Sequence, residues 1–258
     1  VLTGEGSDEI LGGYPKHVAE KYAWAYHALP SVVRRRVLEP LVFALPYRFW
    51  RAKTAVRALS VTNQDDRFAC WFGGMSPADR EVLARFRPER ERMLAREPFN
   101  TEPGNSALRR LLYFDQTSWL PDNLLERGDR MTMAASLEAR MPFMDVELAG
   151  FVSSLPDRFR VRGTQTKWIL RQAMKQVLPK HILERPKVGF KVPVNEWFRG
   201  SMRDYLCDHL LGPDSRAREY FERDRLAALI NEHIQGRHNH EKVLWTLLTF
   251  EIWHRLYV

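Results

Sequence analysis

From Pro15 onward the apolar residues recur at three- and four-residue intervals, and prolines cut that rhythm into short pieces. This pattern predicts a mainly helical chain. Pro15 suits the first turn of a helix whose apolar residues are Val18, Tyr22, Ala25 and Tyr26, and Pro30, Pro40 and Pro46 divide the stretch that follows. Ser76-Pro77-Ala78-Asp79 reads as the start of a solvated, Arg- and Glu-rich helix up to about Arg96. Residues 97–105 read as a loop. Two helices are expected next, Ala107 to about Thr117 and Pro121 to about Ala139, the second closed by Pro142. Gln165 to Val177 is a further helix, and residues 184–200 are a loop punctuated by Pro and Gly. Apolar residues cover most of the circumference of the last helix, Lys242 to Tyr257, which predicts a central core helix with Trp245, Phe250 and Trp253 packed inside. Strand signals are few. Val1-Leu2-Thr3 reads as the last steps of a buried strand, the remnant of a sheet at the N-terminal edge. With no Met at the start, that remnant leads us to expect the downstream part of a longer protein.

With 258 residues, 45% of them hydrophobic, the chain can bury one large core or two smaller ones without covalent help. Two cysteines, Cys70 and Cys207, exclude a disulfide scaffold and point to a reduced, cytoplasmic setting. No uncharged apolar run approaches the roughly 20 residues of a membrane span, so no membrane partner is expected. Residues 158–191 hold ten Lys or Arg against one acid, Glu184, while the chain as a whole carries +8, leaving −1 for the remainder. Such a field suits a polyanion, whether polyphosphate, nucleic acid or an acidic partner; a solvated helix with a basic loop gives the same count.

Three stretches could carry chemistry. In Thr3-Gly4-Glu5-Gly6-Ser7-Asp8-Glu9, glycines let a ligand approach the backbone, Ser7 can cap the next turn, and the bare N–H groups suit a nucleotide. Its carboxylates would need a bridging Mg²⁺ to sit beside phosphates. A tight turn with no ligand is the plainer reading. The second stretch runs from Leu120 to Asp145, where helical spacing aligns Asp122, Glu126, Asp129 and Arg130 on one face, with Leu124, Leu125 and Met131 on another. Gly128 inside a helix costs about 1 kcal/mol against Ala, so something should pack closely there. A salt-bridged surface face would read the same way. In the third, Lys167 stands near a helix start, where the dipole disfavours a cation unless an anion shares the site. Arg185, Lys187 and Lys191 follow it in a basic loop. His233, His238 and His240 lie across a turn with Gly236 in a spacing that matches no zinc pattern.

Together these stretches resemble the glutamine-dependent asparagine synthetase family. The resemblance rests on Gly4-Glu5-Gly6-Ser7-Asp8-Glu9 with Gly12-Gly13-Tyr14, and on Asp129-Arg130-Met131 with Glu138-Ala139-Arg140-Met141-Pro142-Phe143-Met144-Asp145. Lys167-Trp168-Ile169-Leu170-Arg171, Lys187-Val188-Gly189-Phe190 and Trp253-His254-Arg255 complete it. It implies that residues 1–258 are the helical C-terminal portion of an α/β, ATP-pyrophosphatase-type synthetase domain. It also implies ATP-dependent amide formation: an acyl-adenylate forms, pyrophosphate leaves, and ammonia displaces AMP. By position, Thr3 and Gly4 would touch ATP, Glu5 would support the adenylate and deprotonate the amine, and Asp8 would hold Mg²⁺-pyrophosphate. Lys167 would stabilise the leaving pyrophosphate, and Asp122, Arg127 and Asp129 would contact the substrate carboxylate and amine. The family's Ser-Gly-Gly-x-Asp-Ser pyrophosphate loop and its glutaminase domain do not occur in this sequence, so the chain is expected to hold part of an active site and to be inactive alone. Three readings follow: synthesis of asparagine from aspartate, the same adenylating chemistry on another carboxylate (β-lactam closure, peptide cyclisation, other amidation), and a non-catalytic module binding nucleic acid through residues 158–191. Apolar surface left uncovered by the incomplete sheet also leads us to expect self-association into a homo-oligomer.

Overall fold

The computed structural model describes residues 1–46, 49–72, 75, 81, 83–85, 106–185 and 192–258. Among them the protein is helical almost throughout, and extended backbone pairs only at isolated bridges such as Leu2 with Arg140. No helix among the described residues is long and apolar enough to cross a membrane. The chain forms two compact units, Val1–Phe72 with Arg92–Pro186, and Gly73–Glu91 with Lys187–Val258. The expected helix from Ser76 to about Arg96, the loop 97–105 and the stretch Lys187 to Lys191 fall wholly or mostly outside the described residues.

In the first unit, Leu2 does pair in parallel with Arg140, and Thr3 N–H donates to the Arg140 carbonyl at 2.9 Å. The strand is not buried, however. Val1 and Leu2 are exposed, because one bridge supplies a neighbour in the sheet direction but no layer over the side chains. The Ser7–Leu11 helix then buries Ile10 and Leu11 against Val152, with Phe143, Ala149, Ile169 and Leu170 around them. Pro15 opens the Pro15–Lys21 helix as its fixed φ predicts, but the pattern breaks at Tyr22 and resumes as Ala23–Ala28. The two pieces serve different clusters: Val18 packs on Leu108, Leu112 and Val161, while Ala23 and Tyr26 pack with Leu59.

The largest departure from the sequence reading lies between Ala107 and Met133. Instead of two helices meeting at Pro121, one uninterrupted run passes from the Ala107–Phe114 helix through a wide-turned segment, Asp115–Leu125, into Glu126–Met133. Ser106 caps its start, its Oγ accepting from Arg109 N–H at 3.0 Å. Pro121 offers no N–H and would break a regular α-helix; the wider turn accommodates the ring. The run stops at Met133, short of Ala139, which frees residues 138–140 to pair with the N-terminal residues. The Gln165–Val177 helix is also shorter than expected, beginning at Trp168.

The second unit is organised by the Glu241–Tyr257 helix. Its Val243, Leu244, Leu247 and Leu248 pack with Leu83, Phe198, Leu206, Leu210, Leu226 and Ile230. Burial is one-sided, contrary to the all-round core helix expected: Trp245 and Trp253 are 47% and 49% exposed. Glu251 on the buried face accepts from the N–H groups of Arg216 (3.0 Å) and Ala217 (2.6 Å) and from Arg255 Nε (2.5 Å). Burial alone would raise its carboxyl; these donors outweigh that and hold it below the usual carboxylate range. His233 is buried, with Nδ1 accepting from His240 N–H at 3.0 Å, and so is tied into a loop closure.

Candidate functional site

The site grows from the glycine turn that precedes the Ser7–Leu11 helix. Gly6 takes φ +84°, and its α-carbon faces the Met144 sulfur so closely that a side chain there would collide as well as strain the backbone. Ser7 Oγ donates to the Gly4 carbonyl at 2.8 Å, which folds the turn back on itself. Lys167, 159 positions away from Asp8, closes the arrangement. Its Nζ lies 2.8 Å from Asp8 Oδ1 and donates to Ser7 Oγ at 2.8 Å.

Two features show that this contact is built rather than incidental. Lys167 itself adopts a left-handed backbone conformation, φ +51°, immediately before Trp168–Ala173. For a residue with a β-carbon that costs about 1–2 kcal/mol, an amount surrounding structure must hold in place. Gly13 passes so close that a β-carbon there would fall on the Asp8 carboxylate and lie 2.5 Å from Lys167 Cε. Only glycine leaves the pair room. The anion that a cation at a helix start calls for is therefore, in this structure, Asp8.

Glu5 points to a different neighbour. Gly128, on the Glu126–Met133 helix, lies against its carboxylate: a β-carbon built there would sit 3.1 and 3.3 Å from the two oxygens. The close packing expected from a helical glycine is present, and what packs there is Glu5. Among the described residues Glu5 Oε2 and Thr3 Oγ1 are buried without a hydrogen-bond partner, an unfavourable state that a ligand bearing donors would relieve. Gly4 is exposed, with open space where a β-carbon would point.

Asp122, Arg127 and Asp129 are exposed on the continuous run and its last helix. The turn carrying Glu5 is joined to that helix through Gly128, whereas no hydrogen bond among the described residues ties these three side chains to Glu5, Asp8 or Lys167. The expected charged face exists, with Arg130 and Glu126 ion-paired on it. Of the expected apolar face, Leu124 and Leu125 are half-buried while Met131 is exposed.

Sequence reasoning passed over the buried polar frame beneath the turn. The Tyr14 hydroxyl donates to Glu9 Oε1 at 2.5 Å, and burial lifts both groups above their ordinary pKa. Asp115 accepts from Lys16 Nζ at 2.8 Å and sits 2.7 Å from His17 Nε2. Because His17 Nδ1 accepts from Tyr14 N–H, the ring proton belongs on Nε2, aimed at Asp115. Burial pulls the Lys16 ammonium down to about 8 despite the opposing attraction of Asp115. This frame fixes the Gly12-Gly13 turn to the start of the wide-turned segment, and only its contacts within residues 9–17 are local in sequence. The basic stretch after residue 158 is partly consumed by structure: Arg160 is buried on Asp157 (3.0 Å) and Arg171 Nε donates to the Thr166 carbonyl (3.0 Å).

The donor set also tests the Mg²⁺ expectation. Among the described residues no group of three or more His, Cys, Asp or Glu is placed to hold a metal ion. Asp8 supplies a hard carboxylate at the turn, which fits an ion such as Mg²⁺ that takes one protein carboxylate and completes its shell with phosphate oxygens and water.

The asparagine synthase family profile matches residues 1–255. The chain is 32% identical over 263 residues to the protein of Mycobacterium bovis named "Putative asparagine synthetase [glutamine-hydrolyzing]", covering 100% of this chain and 39% of that protein. It is 27% identical over 256 residues to asparagine synthetase [glutamine-hydrolyzing] 1 of Bacillus subtilis, covering 99% of this chain and 40% of that one. The chain thus spans about two fifths of the length of these relatives. No solved structure gave a significant match. The glycine turn, the lysine brought to it and the near end-to-end match lead to one conclusion: the chain belongs to the asparagine synthase family.

Proposed function

We propose that this chain supplies part of the active site of a ligase that makes asparagine from aspartate, ATP and ammonia by way of an acyl-adenylate. The observation that carries the reading is the Asp8–Lys167 pair at a strained, glycine-cleared turn. A fixed ammonium there faces the charge that grows on pyrophosphate as the bond to the α-phosphorus breaks, and stabilises it more in the transition state than before. Thr3 Oγ1 and the backbone at Gly4 would meet the nucleotide. Asp8 would hold Mg²⁺, which supplies charge neutralisation at the phosphates when bound. Glu5, with one oxygen buried and unsatisfied, is suited to accept a proton from the attacking ammonia. Arg127 would pair with a substrate carboxylate, and Asp122 and Asp129 with its amine; Arg127 and Asp129 lie on the helix whose Gly128 packs on Glu5, and Asp122 on the wide-turned segment before it. The remaining phosphate contacts and the glutamine-hydrolysing domain that generates ammonia would come from the rest of the full-length protein, in line with the relatives' greater length. On this reading residues 1–258 are the C-terminal portion of an ATP-pyrophosphatase-type synthetase domain.

Oxygen tracing tests the proposal. With aspartate labelled with ¹⁸O in its side-chain carboxylate and ammonia supplied directly, the full-length protein is expected to deliver one labelled oxygen to AMP for each asparagine formed. Label in inorganic phosphate, with ADP as the nucleotide product, would replace the adenylate by an acyl-phosphate and remove the reading.

A further inference from the structure

The helical run over residues 31–44 turns an unusual face to solvent. It passes from Ser31–Val33 through a wide turn, Arg34–Leu38, into Glu39–Ala44. Its inner side is well anchored. Leu38 packs on the cluster of Ala23, Tyr26 and Leu59, Arg34 lies over the Tyr26 ring at 5.2 Å, and Glu39 accepts from the Tyr26 hydroxyl at 2.8 Å. Its outer side is aliphatic: Val33, Val37 and Leu41 follow at four-residue steps with Val32 beside them, and Val32, Val37 and Leu41 are 61%, 59% and 64% exposed. Arg35 and Arg36 are exposed on the same run. Residues 31–59 hold seven Lys or Arg against one acid, Glu39, and that acid is the one turned inward.

We infer that this aliphatic and arginine face is a peripheral docking surface for an anionic lipid bilayer. The occupant must offer negative charge and hydrocarbon together, in that order of depth, and a bilayer with acidic headgroups does so. A second copy of the chain would set one strongly basic segment against another, which like-charge repulsion disfavours. Nucleic acid would satisfy the arginines but not the row of valines and leucine. The expectation of no membrane partner rests on the lack of an apolar run long enough to span; a helix lying in the interface needs only this exposed stripe and its basic flank.

Vesicle flotation in 0.1 M salt tests the inference, using the 258-residue chain and the full-length protein side by side. Binding to vesicles of phosphatidylcholine with 30% phosphatidylglycerol should exceed binding to phosphatidylcholine alone at least ten-fold. Val37→Ser with Leu41→Ser should lower it about ten-fold or more, and Arg35→Gln with Arg36→Gln by roughly ten- to thirty-fold. Lys175→Gln with Lys180→Gln removes the same charge elsewhere in the unit and should change it less than three-fold. All three pairs are solvent-facing, so unchanged circular dichroism should accompany each. Equal losses from both charge pairs, unaltered binding by the stripe variant, or no preference for the acidic lipid would overturn the inference. So would vesicle binding by the short chain only, which would mean the rest of the polypeptide covers the stripe, or loss of self-association as the stripe variant's main effect.

Discussion

Gly13→Ala isolates the geometry of the glycine turn from its chemistry, because it removes no functional group. A methyl carbon at Gly13 would overlap the Asp8 carboxylate and lie 2.5 Å from Lys167 Cε, whereas carbon atoms in contact settle near 3.5–4 Å. The ion pair must therefore retreat by about 1 Å, and a displacement of that size from productive geometry costs roughly 10²-fold in rate. The cost in stability should be that of an overpacked site, about 1–3 kcal/mol. In the full-length protein, pyrophosphate release with aspartate and ammonia should drop about a hundred-fold while urea unfolding remains cooperative. Gly163→Ala is the matched control. Gly163 has φ +59° but nothing among the described residues within 4 Å of a β-carbon, so alanine there should cost about 1 kcal/mol of stability and leave turnover unchanged. Turnover by Gly13→Ala within three-fold of the parent would show that the Asp8–Lys167 arrangement is not used in the reaction.

Glu5→Gln in the full-length protein should keep ATP binding and the fold but lower amide formation from ammonia by about 10²–10⁴, the usual contribution of a positioned general base; near-normal turnover would leave Glu5 a packing partner of Gly128. Glu251→Ala should destabilise the second unit by about 2–3 kcal/mol in chemical denaturation, since it strands the N–H groups of Arg216 and Ala217. Because the folded-state pKa of Glu251 is depressed, its contribution is complete above the unfolded value of about 4.3 and is lost as pH falls through the lower folded value. The parent's acid unfolding should therefore steepen below that pH, and a variant that melts identically across it would refute the assignment. Gly150→Ala, in the Val146–Ser154 helix with nothing among the described residues within 4 Å of the added β-carbon, should raise stability by about 0.5–1 kcal/mol without touching activity, readable as a shift in the denaturation midpoint.

Local chemistry carried much of the fold. Pro15 opens its helix, and the C-terminal helix begins one residue from where periodicity places it. The failures share a cause, which is that tertiary context decides what a strong local signal becomes. Pro121 looks like a helix start, yet packing around Leu111, Phe114 and Leu120 keeps the run continuous and a wide turn absorbs the proline. Trp245 and Trp253 look like core residues, yet a helix can bury only the side that meets its neighbours. At the site, the family resemblance pointed to Asp8 and Lys167 separately. Their contact joins residues 159 positions apart, and Gly13 matters only because both side chains converge on it. Asp115, centre of the buried frame, carries no periodic or motif signal because its partners Lys16 and His17 lie about a hundred positions upstream.

On the proposed function Lys167 acts on the departing pyrophosphate, and aspartate-dependent exchange of labelled pyrophosphate into ATP reads that step alone. In the full-length protein, Lys167→Ala should cut exchange by at least about 10²-fold while the dissociation constants of ATP and aspartate stay within about three-fold. Lys167→Arg should rescue it poorly, since a planar guanidinium does not fit the place of a compact ammonium beside Asp8 and Ser7. Exchange that survives Lys167→Ala, or falls only in proportion to weaker ATP binding, would make Lys167 a docking charge and contradict the account.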